Sequence, residues 1–379
     1  MSVEIIKPGS NFNFIGNRRY AFLASGLLIL ASILSIVWHK GLNLGVDFRG
    51  GLLVQARFSD PEVNPDALRN ALASLSVSSI QNFSAGGGNE YLIQLQNVEG
   101  SGDGTLIDLL KAALVENFGA DGFEVRRQEM VGPKVGADLR QKALYAIYYA
   151  ILMIIIYISG RFQQKWGMSI LFAAILLGIV NLAGLFGLGV GYLIITALLV
   201  TIVTCYYMRF SFALGGIIAL LHDVIITAGL FSILNKEITL SFVAAVLTII
   251  GYSLNDSIIV FDRIRENLRR NRKLDYPILI NQSINETLSR TILTSGTTVI
   301  ALLSLYFLGG PVNRDFALAI TVGIGVGTYS SIFIAAPILL LWEKKPSPHL
   351  IEDKPSGSKK GNGLEKRKGN SVPPEKSPA

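Results

Sequence analysis

The stretch FALAITVGIGVGTYSSIFIAAPILLLW, residues 316–342, has 27 residues and contains no Asp, Glu, Lys or Arg. A helix that crosses a bilayer needs roughly 20 predominantly apolar residues. Three further runs without these charged residues occupy positions 20–38, 143–160 and 166–208. The chain is 50% hydrophobic and only 16% charged, whereas about a quarter of the residues of soluble domains are charged. The sequence therefore predicts a polytopic α-helical membrane protein.

We expect about eight transmembrane helices. The run 166–208 is 43 residues long, too long for one helix, and GLFGLGVGY (184–192) supplies a glycine-rich turn between two. The first run has 19 residues, more than the roughly 7–15 of a secretion signal, and is interpreted as an uncleaved anchor. The predicted helices are 20–38, 143–160, 168–188, 190–208, 211–234, 238–261, 291–309 and 316–342.

Basic residues set the predicted orientation. Arg18 and Arg19 precede the first helix, and Lys and Arg cluster again at 263–273 and after residue 344. Cytoplasmic loops are enriched in Lys and Arg. The predicted cytoplasmic parts are therefore the N-terminus (1–19), a basic loop (262–290) and a basic tail (344–379), which its composition predicts to be disordered. Topology and attraction to anionic membrane lipids explain the net charge of +7, so we expect no nucleic-acid partner.

Residues 39–142 are the long polar stretch, and an N-terminus inside the cell places them outside the cytoplasm. Their apolar residues alternate or recur at helical spacing in the order β-α-β-β-α-β, which is the ferredoxin-like arrangement. The predicted elements are 51–58, 64–75, 77–84, 90–98, 104–119 and 123–131, with a GGG turn between the two central strands. About 90 residues suffice for a modest core. We expect a small α+β domain between the first helix and a bundle spanning 143–343.

The stretch GYSLNDSIIVFD (251–262) places Asn255 and Asp256 near the end of an apolar run, and Arg290 opens the next predicted helix. An ionisable residue at membrane depth costs roughly 2.5–3.5 kcal/mol and is a functional hypothesis by default. The two helices are consecutive and antiparallel, so Asp256 and Arg290 both lie toward the cytoplasm and can meet. An aspartate that an arginine holds ionised until a proton arrives is a proton relay. The alternative is a polar clasp, meaning a polar contact that holds the two helices together without transferring protons.

Other polar and small residues in the predicted helices have weaker signals. His222 and Asp223 lie near the middle of the 211–234 helix, where flanking glycines favour close packing as much as function. Gly323 and Gly327 form a GxxxG pair, most simply explained by helix packing. Hydrogen bonding between helices is the expected role of Ser253, Ser257, Ser295, Thr297 and Thr298.

No soluble-enzyme motif appears in the sequence. We find no P-loop, dinucleotide fingerprint, zinc-ligand spacing or nucleophile elbow, and the single cysteine, Cys205, has no intrachain partner. We therefore expect neither a cofactor nor a metal site, and not an enzyme. Work done by the protein would draw on the transmembrane potential, about 2.3 kcal/mol per charge per 100 mV.

Several stretches together resemble the SecD/SecF family of protein-export proteins. GVDFRGG (45–51), which contains Gly45, Asp47, Phe48, Gly50 and Gly51, resembles the motif that opens the exported domain. The other matching stretches, in family order, are FALGGIIALLHDVIITAGLF (212–231), GYSLNDSIIVFDRIREN (251–267), SRTILTSGTT (289–298) and GVGTYSSIFIAAPILL (325–340). The SecF branch of the family is the one indicated, and the resemblance covers most of residues 20–343.

This resemblance implies a transporter-like half of the RND superfamily in the bacterial inner membrane, with its small domain in the periplasm. It implies pairing with SecD beside the SecYEG channel and movements, driven by the proton-motive force, that help pull unfolded preproteins outward. Asp256 then corresponds to the family's proton-carrying carboxylate and Arg290 to its charged partner, with Asp223 and Asn255 ranked lower. Family members usually have six spans, so we interpret the extra residues 168–208, between GRF (160–162) and MRF (208–210), as an inserted helical pair.

Two alternative functions remain open at this level. A proton-coupled exporter of small molecules or lipids would normally carry larger exported domains and both halves in one chain, whereas this chain has one small domain and one half. A channel scaffold that moves no protons differs from the leading hypothesis only at Asp256 and Arg290.

Overall fold

The structure, a computed structural model, describes residues 10–75, 77–82, 89–96, 105–163, 166–185, 189–271 and 273–341. The predicted GGG turn (86–88) and basic tail (344–379) lie outside the described residues. In chain order the elements are α1 (Arg18–Trp38), α2 (Val46–Arg49), β1 (Gly51–Phe58), α3 (Pro65–Ala71), β2 (Val77–Asn82), β3 (Glu90–Gln96), α4 (Thr105–Phe118), β4 (Phe123–Val131), α5 (Pro133–Gln163), α6 (Trp166–Leu185), α7 (Val190–Tyr207), α8 (Ser211–Ile233), α9 (Leu240–Arg270), α10 (Tyr276–Leu308), α11 (Gly310–Ser330), a π-helical turn (Ser331–Ala335) and α12 (Ala336–Ile338).

Within the described residues, six helices are long and apolar enough to cross a membrane. They are α1, α5, α8, α9, α10 and α11 with its continuation to Leu341. The two shorter apolar helices α6 and α7 occupy the predicted inserted pair. The predicted mostly helical membrane architecture is confirmed, with the expected eight spans appearing as six long helices and two shorter ones.

The predicted basic loop at 262–290, which joins two of the predicted membrane helices, is mostly helical. Helix α9 runs on to Arg270 and α10 already begins at Tyr276. The charged residues are spaced for helical ion pairs, as between Arg263 and Glu266 at 2.9 Å. Between them, apolar residues such as Ile264 and Leu268 are buried. This segment is therefore an amphipathic helical hairpin, which a charge count alone does not distinguish from a loop.

The polar stretch forms a four-stranded sheet in the order β2-β3-β1-β4 with every neighbouring pair antiparallel. That order and its two helices match the predicted ferredoxin-like α+β domain. Side chains alternate along β1, so that Leu52 and Val54 are completely buried. They pack with β3 and with Leu110 and Leu114 of α4 in a core of their own, separate from that of the bundle.

The GVDFRGG motif joins this domain to the bundle. Its Gly45 N–H donates to the carbonyl of Ile238 in the α8–α9 loop at 2.9 Å. The Asp47 carboxylate accepts from the backbone N–H of Leu240, the first residue of α9, at 2.8 Å. Gly51 has φ +145°, and a Cβ there would overlap the carbonyl oxygen of Leu95 on β3. The motif therefore supplies both a backbone geometry suited to glycine and a helix cap.

Helix α8 positions the candidate site because it packs against α1, α5, α7, α9 and α11. Most of its residues are buried, including the two glycines near its start, Gly215 and Gly216. A Cβ on Gly215 would come within 2.7 Å of the Ala335 carbonyl oxygen. Because α8 is enclosed in this way, polar side chains in its middle must find their partners inside the bundle.

Candidate functional site

Asp256 lies on the buried face of α9 and is 1% exposed. Its Oδ2 accepts from the Ser295 hydroxyl of α10 over a long 3.3 Å contact. Ser295 in turn accepts from the Thr328 hydroxyl of α11 at 2.7 Å. The other oxygen, Asp256 Oδ1, is buried without a hydrogen-bond partner among the described residues. The carboxyl group predicted to carry protons thus sits between three helices with one oxygen unsatisfied.

Arg290 does not make the predicted contact with Asp256. Within the described residues no ion pair of 4.0 Å or less joins the two side chains, and Arg290 is exposed. The buried stripe of α10 passes through Thr291 and Ser295. Since successive residues of a helix differ by about 100°, Arg290 lies beside this stripe rather than on it. Asn255 is exposed for the same reason, because it neighbours the buried Asp256 on α9.

Asp223, ranked lower from the sequence, has the denser set of partners. Its side chain is completely buried, and Oδ1 lies 2.9 Å from His222 Nδ1. Two hydroxyl groups donate to Oδ2, Ser253 of α9 at 2.6 Å and Ser330 of α11 at 2.9 Å. Charge-assisted hydrogen bonds of this kind are among the stronger ones in proteins. Asp223 therefore ties α8, α9 and α11 together.

The predicted GxxxG pair makes this meeting of helices possible. A Cβ on Gly327 would lie 3.1 Å from Ser253 Cβ and 3.4 Å from Asp223 Oδ2. A Cβ on Gly323, one turn earlier, would overlap the Ile249 side chain of α9. Glycine at both positions lets α11 approach α9 closely, as expected for this motif.

His222 extends the network toward α1. It is 3% exposed, and its ring stacks on Tyr329 with centroids 6.1 Å apart. The Tyr329 hydroxyl donates to the Ala21 carbonyl oxygen of α1 at 2.8 Å. His222 Nε2 is buried without a hydrogen-bond partner in the described part of the chain.

Sequence reasoning missed Ser330 and Thr328. Both occur in the stretch GTYSS (327–331), directly before the π-helical turn Ser331–Ala335. Such turns are frequent at functional sites. The cluster of four hydroxyl-bearing residues after the GxxxG glycine (328–331) was the available signal, but nothing in the sequence assigned it to a particular carboxylate.

The site brings two buried carboxyl groups into one part of the bundle. Ser253, which donates to Asp223, stands three residues before Asp256 on α9, so both groups contact the same face of that helix. Hydroxyl groups, which both donate and accept, surround them. Among the described residues, no group of three or more His, Cys, Asp or Glu side chains has the arrangement to hold a metal ion.

Family models match most of the chain. The model described as protein export membrane protein SecD/SecF, C-terminal, matches residues 111–202 and 184–345. The SecD/SecF GG motif model matches residues 36–62, which include the motif that caps α9.

Similar full-length proteins carry the same description. Protein translocase subunit SecF of Magnetococcus marinus is 38% identical over 343 residues, which cover 90% of this chain and 95% of the relative. SecF of Haemophilus influenzae is 37% identical over 86% of this chain and 84% of the relative.

Solved structures of SecDF share the fold. SecDF of Thermus thermophilus, a translocon-associated membrane protein, matches with a TM-score of 0.61 and 34% identity over 88% of this chain. SecDF in its super-membrane-facing form matches with a TM-score of 0.56 and 35% identity over 89% of this chain. In both cases the match spans only 39% of the longer SecDF chain.

Proposed function

Because this chain belongs to the SecF family of protein translocase subunits, we propose that it couples the proton-motive force to late steps of preprotein export. It does so as an accessory subunit, with Asp256 as the group that takes up and releases a proton. The proposal places the chain in the bacterial inner membrane, with both termini in the cytoplasm and the α+β domain in the periplasm. Its proposed partners are SecD, the SecYEG channel, unfolded preproteins and membrane lipids.

The observation that supports proton coupling is the unsatisfied oxygen of Asp256 in the middle of three helices. A buried carboxylate whose oxygen has no donor is costly, because an unpaired polar group loses its interaction with water. A bound proton converts that oxygen from an acceptor without a partner into a hydroxyl donor. The protonated and ionised forms of Asp256 therefore favour different helix arrangements, as a coupling device requires.

The contacts of α9 supply a route from the proton to the exported domain. Asp256 lies on α9, and the first residue of that helix, Leu240, donates its N–H to Asp47. Asp47 belongs to the motif that leads directly into β1. A displacement of α9 on protonation would thus be passed to the base of the α+β domain, which is where a pulling movement must begin.

The proposed pairing with SecD is supported by the extent of the structural match. This chain corresponds to 39% of the SecDF chains, and it supplies one half of a transporter-like bundle. SecD would supply the other half. The preprotein is the proposed substrate because the similar proteins are described as translocase subunits.

Rescue of preprotein export in cells that lack their own SecF tests this function. We expect wild-type protein to restore export and Asp256→Asn to fail, at equal membrane level and equal binding to SecD, because the amide keeps the shape but cannot ionise. Asp262→Asn is the matched control. Asp262 lies on the same helix but is 40% exposed in an ion pair with Arg161, so this variant should retain export.

Two results would contradict parts of the proposal. Full rescue by Asp256→Asn would show that the site is a polar clasp and that the chain is a scaffold which moves no protons. Failure of the wild-type protein to rescue, despite normal binding to SecD, would remove the role in export itself.

A further inference from the structure

The junction between the α+β domain and the bundle contains two buried polar side chains. Glu237, in the α8–α9 loop, is 8% exposed, and Gln94, on β3, is 5% exposed. Gly45 lies against Glu237, since a Cβ there would come within 3.2 Å of Glu237 Oε2. The backbone around them is fixed, because Ile238 N–H donates to the Asn43 carbonyl oxygen at 2.7 Å. Gln94 is among the groups that act on the Glu237 carboxyl group, so the two side chains lie close together at this junction.

The hydrogen bonds at this junction are incomplete. The Gln94 amide is close enough to the Glu237 carboxylate to lower its pKa as a hydrogen-bond donor. Glu237 Oε2 and Gln94 Oε1 are nevertheless both buried without a partner among the described residues. A buried polar atom without a hydrogen-bond partner is destabilising. Both of these atoms are acceptors when the glutamate is ionised, so what the junction lacks is a hydrogen-bond donor.

One proton supplies that donor. A carboxylate can only accept hydrogen bonds, whereas a protonated carboxyl group also has an O–H donor. A carboxylic acid and a carboxamide make two hydrogen bonds in opposite directions, with the amide N–H donating to one acid oxygen and the acid O–H donating to the amide oxygen. Protonation of Glu237 would therefore satisfy both unpartnered oxygens together, and deprotonation would leave both unsatisfied.

The negative charges around the junction act on the pKa of Glu237 in the same direction as its burial. Burial is the main cause that raises the pKa of Glu237 above its ordinary value, and the negative charges of Asp315 and Asp47 add to it. The hydrogen bond from Gln94 and the positive charge of Arg49 lower the pKa by less. Lys236, next to Glu237, pairs with Asp315 at 2.8 Å.

Protons can reach the junction from the side of the α+β domain. A cavity of about 400 Å³ is bounded by β2, the end of α3 and the α8–α9 loop, and Glu237 is among its lining residues. The described residues offer no group of three acidic, histidine or cysteine side chains able to bind a metal ion here. A proton is thus the cation that the site is suited to bind.

We propose that Glu237 and Gln94 form a proton-binding site, separate from Asp256, that fastens the α+β domain to the bundle when it is occupied. The proton comes from water on the outer side and binds the Glu237 carboxylate without any other covalent change. When the proton leaves, two buried acceptors lose their donor and the junction opens. In an energised inner membrane the outer side is the proton-rich one, so the site would hold the domain in place until the local proton activity falls.

The sign of the pH dependence follows from this chemistry. The pKa of Glu237 is higher in the closed junction than in an exposed, open one, so the closed form binds the proton more tightly. Its stabilising contribution is fully present below the ordinary pKa of a glutamate and is lost as pH rises through the raised pKa of the closed form. The junction should therefore open on alkalinisation and close on acidification.

Distance measurement between two spin labels tests the site without requiring export. The single cysteine, Cys205, is replaced by alanine, and labels are placed on Ala73→Cys at the end of α3 and on Leu234→Cys at the end of α8. Both positions are exposed. The full-length chain in lipid nanodiscs is titrated from about pH 5 to about pH 9. We expect one narrow distance distribution at low pH that broadens toward longer distances as pH rises.

Three variants separate Glu237 from other titrating groups. Glu237→Gln should keep the narrow distribution at every pH, because a neutral amide retains a donor for Gln94. Asp315→Asn should shift the transition to lower pH, since it removes a negative charge that favours the bound proton. Glu116→Gln, an exposed position on α4, should behave like the wild type.

The proposal is overturned if the wild-type distribution does not change over this pH range, or if Glu237→Gln still responds as the wild type does. Either result would leave the role of Asp256 in export untouched. Conversely, loss of export in Asp256→Asn would not alter the expected titration of the junction.

Discussion

Replacing Gly323 by alanine should weaken the contact of α11 with α9 measurably. The added Cβ would overlap three carbon atoms of the Ile249 side chain, and two of these atoms, Cγ1 and Cγ2, are bound directly to the Cβ of Ile249. A β-branched residue in a helix has one strongly preferred χ1 rotamer, so Ile249 cannot simply turn away. Overpacking of this kind costs about 1–3 kcal/mol.

The same helix provides a matched control in Gly325. A Cβ at Gly325 would meet no atom within 4 Å, so its replacement by alanine only improves helix propensity. That substitution should stabilise the protein by about 0.5–1 kcal/mol. The two variants carry the same chemical change two residues apart, so the gain in helix propensity is common to both and their unfolding free energies should differ by the overpacking cost, about 1–3 kcal/mol.

Unfolding in mixed detergent micelles, followed by the fluorescence of the three tryptophans, measures the difference. A double-mutant cycle adds the test of mechanism. Ile249→Ala alone removes buried side chain and costs about 2–5 kcal/mol. In combination with Gly323→Ala, the cost should be smaller than the sum of the two single costs, because the new methyl group then has room.

Equal effects of the two glycine substitutions would refute the packing argument, and so would additive costs in the double mutant. The export activity of the glycine variants should follow their stability. If Gly323→Ala were fully stable yet failed to support export, the close approach of α11 and α9 would matter for movement rather than for the resting fold.

Two further substitutions test the domain junction and the helical hairpin. Gly51→Ala should destabilise the α+β domain by more than about 1 kcal/mol, because φ is +145° and a Cβ would overlap a carbonyl oxygen of β3. Gly132→Ala is the control, since a Cβ at Gly132 has open space. Amide hydrogen exchange of the sheet measures the loss of stability, and equal exchange in both variants would contradict the prediction. Asn267→Ala should lower the Tm by an amount equivalent to about 1–3 kcal/mol, because buried Asn267 donates to Ser283 at 3.0 Å and to a neighbouring glutamate. Asn271→Ala, at the exposed end of α9, is its control, and an equal loss would show that the hydrogen bonds contribute nothing.

The parts of the fold that the sequence predicts well are those in which a single segment contains its own signal. Charge-free runs longer than a bilayer identify membrane helices without knowledge of their neighbours. The pattern of GLLVQARF predicts β1 with the bounds that the structure shows. The arrangement of the sheet follows from element order alone, because β-α-β-β-α-β leaves few topologies.

The helical structure of the predicted loop at 262–290 was not foreseen, because the evidence for that segment was charge rather than periodicity. Ile264 and Leu268 on α9 are four residues apart, as are Ile280 and Ile284 on α10, and all four are buried. This pattern is visible in the sequence, but the abundance of arginine around it favoured the interpretation as a loop. Helices α9 and α10 continue beyond their membrane-spanning segments because ion pairs and a stripe of buried apolar residues stabilise the parts outside those segments.

The partners of the carboxyl groups could not be predicted, because they come from different helices. The sequence places Asp256 and Arg290 at a similar depth, yet contact also requires that both helices turn the right face toward each other. That rotation is set by packing, such as the absence of side chains at Gly323 and Gly327, and not by the depth of either residue. For the same reason Ser330 and Asp223, 107 positions apart, gave no joint signal.

The contacts of α9 restrict how this bundle can transmit movement. Leu240 and Asp256 are sixteen residues apart on one helix, or about 24 Å at the helical rise, so a shift at one end must appear at the other unless α9 bends. Asp47 accepts a hydrogen bond from the first residue of α9 and lies only four residues before β1. The chain between this hydrogen bond and the sheet is therefore too short to absorb a large displacement. A shift of α9 along its axis must therefore either break the Asp47 cap or carry the sheet with it. The Glu237–Gln94 contact lies beside that cap, so the protonation state of Glu237 decides between these two outcomes. With the junction closed, a shift of α9 would carry the sheet along. With the junction open, α9 would return without moving the sheet.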